Sequence, residues 1–387
     1  MRILQVIEAT GAGVGRHVRG LSAFLAAAGH EVTVAYAPNR TDEAFRRFVS
    51  DKRADIRFFP IRLEREVSPV SDFLSVLQLA GLVKRQGPFE VIHGHSSKGG
   101  AVARLAGRLT GLPVVYTPHS LIMASPELSS AKLTVYTAIE RVLGHLATCR
   151  MLAVSEDERQ LMLKLKLAPA DRVTVVNNGL DEGVLRRFST LKGEQEHTVK
   201  GPFTFGSIMR FDTQKAPGHL VEAFSQLIQM LPQAPLRLMI AGDGELLDQT
   251  RKQIQEKGLA ERVDLLGWRS DVHEVLGKFD VFVLSSLYEG FSYAILEAMA
   301  AKLPVVSTRV FGIADTIAPV QGNVIVPAGS PAALAEGMRR MADLALTDGS
   351  SKTLLMIGQA NHDYVRANFS QRETMNRIVD VYEEVRR

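Results

Sequence analysis

A single cysteine in 387 residues, Cys149, rules out an intramolecular disulfide and suits a reducing compartment. Long apolar runs are missing as well. ILQVI after Arg2 is too short for a signal-peptide core, and no later stretch reaches the roughly 18 apolar residues that a spanning helix needs. The expectation is a cytoplasmic protein, at most peripheral at the inner face of a membrane. No Gly-Lys-Ser/Thr follows the glycine-rich stretch near the N-terminus, which excludes a Walker loop. No Asp-x-Asp stands at a strand end to hold Mg²⁺, and no carboxylate pair stands out as the nucleophile and acid of a retaining hydrolase. Basic runs interleaved with aromatics are absent too, which argues against single-stranded nucleic acid as a partner.

What is present describes a globular chain of two domains. Hydrophobic content of 46% and charged content of 23% are ordinary, and the length exceeds one core. Short Val- and Ile-rich runs alternate with longer helical patterns in both halves. RILQVIEA, HEVTVAYA, DIRFFPI, FEVIHGH, LPVVYT, MLAVS and RVTVVNN come first, then FTFGSIM, LRLMIAG, RVDLLG, VFVLSS, LPVVST and GNVIVP. Continuous apolar runs separated by helices imply buried parallel strands and right-handed crossovers. The expected fold is therefore α/β, with two Rossmann-like doubly wound domains facing each other across a cleft. Polar, aperiodic FSTLKGEQEHTVKGP (188–202) is the linker candidate. The expected N-terminal domain is 1–195, the C-terminal domain 196–365, with a terminal helix in 366–387 whose apolar stripe must pack on something. Charge divides unevenly: 25 Lys+Arg against 18 Asp+Glu in residues 1–187, and 21 against 24 afterwards. The basic half suits anionic lipid or a phosphorylated substrate; a solvated basic surface is the plainer reading.

In open α/β sheets ligands sit beyond the carboxyl ends of the strands, so the loops there carry the chemistry. TGAGVG (10–15) follows the first strand and opens a helix, where backbone N–H groups can receive an anion; Gly13 and Gly15 allow close approach. It departs from a dinucleotide fingerprint, and a tight turn is the alternative. RFDTQK (210–215) puts Arg210 and Lys215 past the first strand of the second half, a rigid fork and a mobile point charge suited to a diphosphate. EGFSYAILE (289–297) sets Glu289 and Glu297 eight positions apart where a loop runs into a helix. One carboxylate there has an electrostatic excuse; two, around Gly290, Phe291 and Ser292, call for a ligand. His93 reads as a satisfied strand residue. His119 in YTPHS stands after a strand, free to be a site residue or a local hydrogen-bond partner.

Read together, E-x7-E, RFDTQK, AGDGEL (241–246), LGW (266–268), VVNNGLD (175–181) and a C-terminal FSxxE helix resemble the family-4 retaining glycosyltransferases, almost end to end. That resemblance implies the GT-B fold, a last helix crossing back to the N-terminal domain, and a nucleotide-sugar donor, UDP-linked by default. By it, Arg210 and Lys215 bind the donor diphosphate, Glu289 contacts the transferred sugar, and Glu297 accepts from the ribose hydroxyls. The amides of Phe291 and Ser292 reach the sugar and β-phosphate, His119 lies near the reacting end of the sugar, and Gly267, Trp268 and Arg269 stand near the base. It implies no metal and no separate cofactor, and front-face transfer in which the departing phosphate takes the acceptor proton. Ala12 and Ala216 depart from the family's glycines. HSSKGG (95–100) resembles stretches in enzymes that extend lipid-linked saccharides. Ser96, Ser97 and Lys98 would then form an anion site for a polyprenyl-diphosphate acceptor in polysaccharide assembly, an ordinary N-cap with a solvated lysine being the alternative. Other readings are a nucleotide-sugar epimerase of the same fold and a catalytically silent binding module.

Overall fold

The computed structural model describes residues 1–51, 55–64, 68–189, 201–347 and 352–386, the side chains of Ala12, Ser189 and Thr347 excepted. The chain forms two compact units, Met1–Asn178 with Arg372–Arg387, and Gly179–Gln371. The expected boundary at 195/196, and most of the expected linker, lie outside the described residues.

The first unit runs β1 (Arg2–Ile7), α1 (Ala12–Ala27), β2 (Glu31–Tyr36), α2 (Glu43–Ser50), β3 (Ile56–Pro60), α3 (Pro69–Gln86) and β4 (Val91–His95). It continues α4 (Ser97–Thr110), β5 (Val114–Thr117), α5 (Ser130–Leu146), β6 (Arg150–Ala153), α6 (Glu156–Lys164) and β7 (Val173–Val175). The second unit begins with α7 (Glu182–Ser189), β8 (Phe203–Ile208), α8 (Pro217–Met230), β9 (Leu236–Ala241), α9 (Leu247–Glu256), β10 (Val263–Gly267) and α10 (Val272–Leu276). It ends with β11 (Val281–Leu284), α11 (Tyr293–Ala300), β12 (Val305–Thr308), α12 (Ile313–Thr316), β13 (Val324–Val326), α13 (Pro331–Thr347) and α14 (Lys352–Asn368). Helix α15 (Gln371–Val385) returns to the first unit.

Both sheets are parallel, in the orders β3-β2-β1-β4-β5-β6-β7 and β10-β9-β8-β11-β12-β13. Each order reverses direction beside its first strand, between β1 and β4 and between β8 and β11. Such a switch point opens a crevice at the strand ends because the flanking helices diverge to opposite faces. The central strands are buried along their length, as in VFVL of β11, because helices cover both faces.

The stripe read on the terminal helix has a definite seat. Met375, Ile378, Val381 and Tyr382 are buried in the core that β1, β2 and α1 build. At about 1.5–3 kcal/mol per side chain this contact holds the helix firmly. The chain reaches it through a crossing that only glycine permits. A Cβ on Gly179 would lie 2.5 Å from Gln371 N. There Leu180 N donates to Phe369 O (2.9 Å) and Gln371 N donates to Leu180 O (3.0 Å). The VVNNGLD and FSxxE stretches, far apart in sequence, are two sides of this crossing.

Candidate active site

In the second unit the loops after β8 and β11 meet at the switch point. Leu287 N donates to Gln214 O (2.8 Å), and Ser285 Oγ donates to Lys215 O (2.7 Å). Gln214 Nε2 donates to Tyr288 O (3.0 Å) and to Glu289 Oε2 (3.4 Å). Glu289 is 5% exposed, salt-bridged to Lys215 Nζ and bonded by Ser286 Oγ (2.7 Å). Arg210, with its side chain 53% exposed, leans on Asp212 (2.8 Å) and Gln214 (3.3 Å). The expected pair of cations is thus gathered in one network with the first glutamate. Lys215 is already engaged by that glutamate, so the diphosphate and sugar assignments share an ion pair.

The local backbone explains the motifs. Lys215 N donates to Asp212 Oδ1 (3.0 Å), closing the RFDTQK turn. Ala216 then adopts a left-handed conformation (φ 48°) before α8, one that suits glycine best; alanine bears this at about 1–2 kcal/mol. The AGDGEL loop lies against the same turn. A Cβ on Gly242 (φ 139°) would fall 1.8 Å from Met209 O, and one on Gly244 (φ 153°) 2.5 Å from Phe211 O. Phe291 is buried with its ring 5.7 Å from that of Phe369, and Ser292 Oγ caps α11 by accepting from Ile295 N (3.4 Å). Both side chains therefore anchor the loop and leave backbone amides as the groups to offer a ligand. Glu297 sits half-buried on the second turn of α11. Gly267 is left-handed (φ 67°) at the end of β10; Trp268 after it is exposed, and Arg269 pairs with Asp271 (2.8 Å).

In the first unit the strand ends carry histidine. His95 Nδ1 lies 3.0 Å from His119 Nε2, and His95 Nε2 lies 2.6 Å from Gln5 Oε1. His17 on α1 stacks edge-on to His119 (centroids 4.8 Å apart) and bonds Asn178 Oδ1 (3.0 Å) through Nδ1, while its buried Nε2 has no partner. Gln5 Nε2 donates to Tyr382 Oη (3.0 Å), so the terminal helix supports the cluster from below. His93 is fully buried between Tyr382 and Thr117 (2.8 Å). It is a structural residue. His119 (φ 62°) and Ser96 (φ 61°) hold strained backbones at the ends of adjacent strands, as functional loops often do.

Burial holds all four imidazoles neutral. It lowers His17 to about 4, against a weak opposing effect of Asn178, and puts His93, His95 and His119 well below the ordinary value. Nitrogens of His17, His95 and His119 lie within 4.8 Å of one another, a set whose distances could also admit a metal ion. Stability should accordingly fall in acid. A depressed folded value means full stability above pH 6.5, lost as pH drops, at roughly 2 kcal/mol for His17 by pH 5, with His93, His95 and His119 acting in the same direction. Glu158, buried and raised to about 7, works the other way over the same window, but it offsets little more than one histidine. Thermal melts at pH 7.5 and 5.0 should differ by many degrees; equal midpoints would contradict the buried neutral cluster.

Two expectations change in physical content. Gly15 owes its glycine to packing, because a Cβ would meet Thr10 O at 1.7 Å; Gly13 lies in the same first turn of α1. Lys98 is not a solvated cation: it pairs with Asp72 (2.9 Å) and is largely covered. Ser96 is the N-cap of α4 by position but accepts no capping bond, and its buried Oγ has no partner. Ser97, the first residue of α4, is exposed. Sequence reasoning passed over Gln5, His17, Gln214 and Ser286, and read Tyr382 only as part of the apolar stripe of the terminal helix. Gln5 had a signal, a polar residue inside the apolar run ILQVI.

Two parallel Rossmann-like sheets, with a cation–carboxylate network at the switch point of the second, define a GT-B type protein. Residues 202–343 match the family described as "Glycosyl transferases group 1", and residues 12–179 match the "Glycosyl transferase 4-like domain". The chain belongs to this glycosyltransferase family. It is 33% identical over 265 residues to the Escherichia coli UDP-Gal:alpha-D-GlcNAc-diphosphoundecaprenol alpha-1,3-galactosyltransferase, a match covering 66% of each chain. It is 24% identical to the Staphylococcus aureus capsular polysaccharide biosynthesis glycosyltransferase CapM, over 73% of this chain and 74% of that one. In fold it is similar to Anabaena HepE, solved with UDP-glucose (TM-score 0.77, 19% identity, 99% of this chain and 100% of that one).

Proposed function

We propose that the protein is a retaining glycosyltransferase moving a sugar from a UDP-sugar to a polyprenyl-diphosphate-linked saccharide in polysaccharide assembly. The carrying observation is the network of Arg210, Lys215 and Glu289 at the β8–β11 switch point, where a diphosphate and its sugar find cations beside a carboxylate. The named donor and acceptor of the E. coli relative support the substrate classes.

In this reading the exposed Arg210 fork grips the diphosphate, and Lys215, held by Glu289 through one donor, turns its others to the leaving oxygen. Glu289 accepts from sugar hydroxyls and Glu297 from the ribose; Gly267, Trp268 and Arg269 flank the base. The acceptor hydroxyl attacks the anomeric carbon on the face from which UDP departs. The C–O bond to the β-phosphate breaks, and the acceptor proton passes to that phosphate oxygen. Catalysis is then electrostatic, with cations and the Phe291 and Ser292 amides aimed at the charge developing on the diphosphate. His119, neutral at pH 7, serves as a hydrogen-bonding group near the sugar. The Ser96–Ser97 turn at the start of α4 receives the acceptor, and no metal or separate cofactor takes part.

The test is nucleotide release from UDP-sugars with and without a polyprenyl-diphosphate-linked saccharide, in excess EDTA. Acceptor-dependent UDP release unaffected by the chelator is expected. Full dependence on a divalent cation would refute the metal-free mechanism.

A further inference from the structure

The helices on one side of the first sheet have apolar faces with no seat in the unit. Helix α3 buries one stripe and turns a second to solvent: Val70, Phe73, Leu74 and Leu77, spaced at i, i+3, i+4 and i+7. Its Val70 is 74% exposed and Phe73 61%. Helix α5 is more extreme. It buries only Glu140, Leu143 and Gly144, while Val135, Ile139, Val142 and Leu146 point outward along one line. Between these two helices α4 exposes Leu105 and Leu109. Among the described residues, ten of the fifteen exposed large apolar side chains thus fall on three successive helices. Soluble surfaces rarely gather so much apolar area without something to cover it.

The same helices are almost free of negative charge at the surface. Their two acidic residues are engaged, Asp72 by Lys98 (2.9 Å) and Glu140 by the fully buried Arg104 (2.8 Å). That buried pair, with Arg104 4.0 Å over the Tyr116 ring, fastens α5 to α4, beside the narrow apolar seat that Leu133, Tyr136 and Leu143 make. Lys84 and Arg85 on α3, Arg108 on α4, and Lys132 and Arg141 on α5 are exposed cations on the same helices. A two-fold contact between copies would set like charges against like. A surface of anionic lipid matches both features, taking the Phe, Leu and Val side chains into the acyl boundary and the cations at the headgroups.

We infer that the outer face of α3, α4 and α5 docks on an anionic lipid bilayer. It rests on the proposed lipid-linked acceptor for its purpose, and on its own geometry for its existence. Docking holds the first unit where a lipid-borne diphosphate is presented and leaves the chain unspanned, since no described helix is long and apolar enough to cross a membrane.

Vesicle flotation of the full chain tests this, with phosphatidylcholine alone and mixed with phosphatidylglycerol. Binding to the mixed vesicles, weakened by salt, is expected. Leu74→Gln with Val142→Gln should weaken it at least about tenfold, since two side chains lose an apolar seat. Arg108→Glu with Lys132→Glu should remove the preference for phosphatidylglycerol. All four positions are exposed, so native circular dichroism is expected, and UDP release with a short-chain soluble acceptor should persist. No flotation of the wild type overturns the inference, as does equal flotation of the apolar variant. Self-association that Leu74→Gln with Val142→Gln abolishes, without lipid binding, would instead make the face an interface between copies. Failure of UDP release in every form defeats the proposed reaction and leaves the flotation result standing.

Discussion

Arg210→Ala should lower turnover about a hundredfold or more while the fold and its melting temperature stay as they were. The argument joins exposure to function. The Arg210 side chain is 53% exposed, and its ion pair with Asp212 is of the surface kind worth about 0–1 kcal/mol, so the fold has little to lose. Its guanidinium stands beyond β8 at a strand-order reversal, where an anionic ligand would meet it. Removing one preorganised charge stabiliser costs about 10²–10³ in rate when charge develops on the leaving group. The readout is UDP release at saturating donor beside circular dichroism. Activity within a few-fold of wild type would remove Arg210 from the mechanism.

Lys215→Met should lose comparable activity and, unlike Arg210→Ala, unsettle the second unit. Its partner Glu289 is buried, and without the lysine the carboxylate keeps only Ser286 and Gln214. An uncompensated buried charge costs about 3–5 kcal/mol, which for a unit of this size is roughly 10 °C in Tm. Adding Glu289→Gln removes the stranded charge. The double variant should therefore recover most of the lost stability and none of the lost turnover. A single variant as stable as wild type would mean the pair is not buried as described. A double variant that regains activity would mean that neither group touches the donor.

The sequence carried the strands more fully than the site. All thirteen apolar runs became strands, because a strand covered on both faces must be continuously apolar and little else in the chain is. The order of the strands was not written in any run; it follows from crossovers. Arg210, Lys215 and Glu289 were legible through motif spacing, but the salt bridge between the last two was not, since 74 residues separate them. Gly15 shows the opposite case. Its motif suggested a ligand, and the close approach of Thr10 O accounts for it without one. The histidine cluster was only partly visible. His119 followed a strand, whereas His17 and Gln5 join it solely through the parallel pairing of β1 with β4 and the packing of α1.

The most direct measurement is the anomeric configuration of the product formed from a UDP-α-sugar and a polyprenyl-diphosphate-linked saccharide, read by NMR on the isolated glycolipid. An α-linked sugar with the lipid diphosphate intact is the predicted result. A β-linked product, or an epimerised nucleotide sugar with the acceptor untouched, would contradict front-face transfer at the β8–β11 switch point.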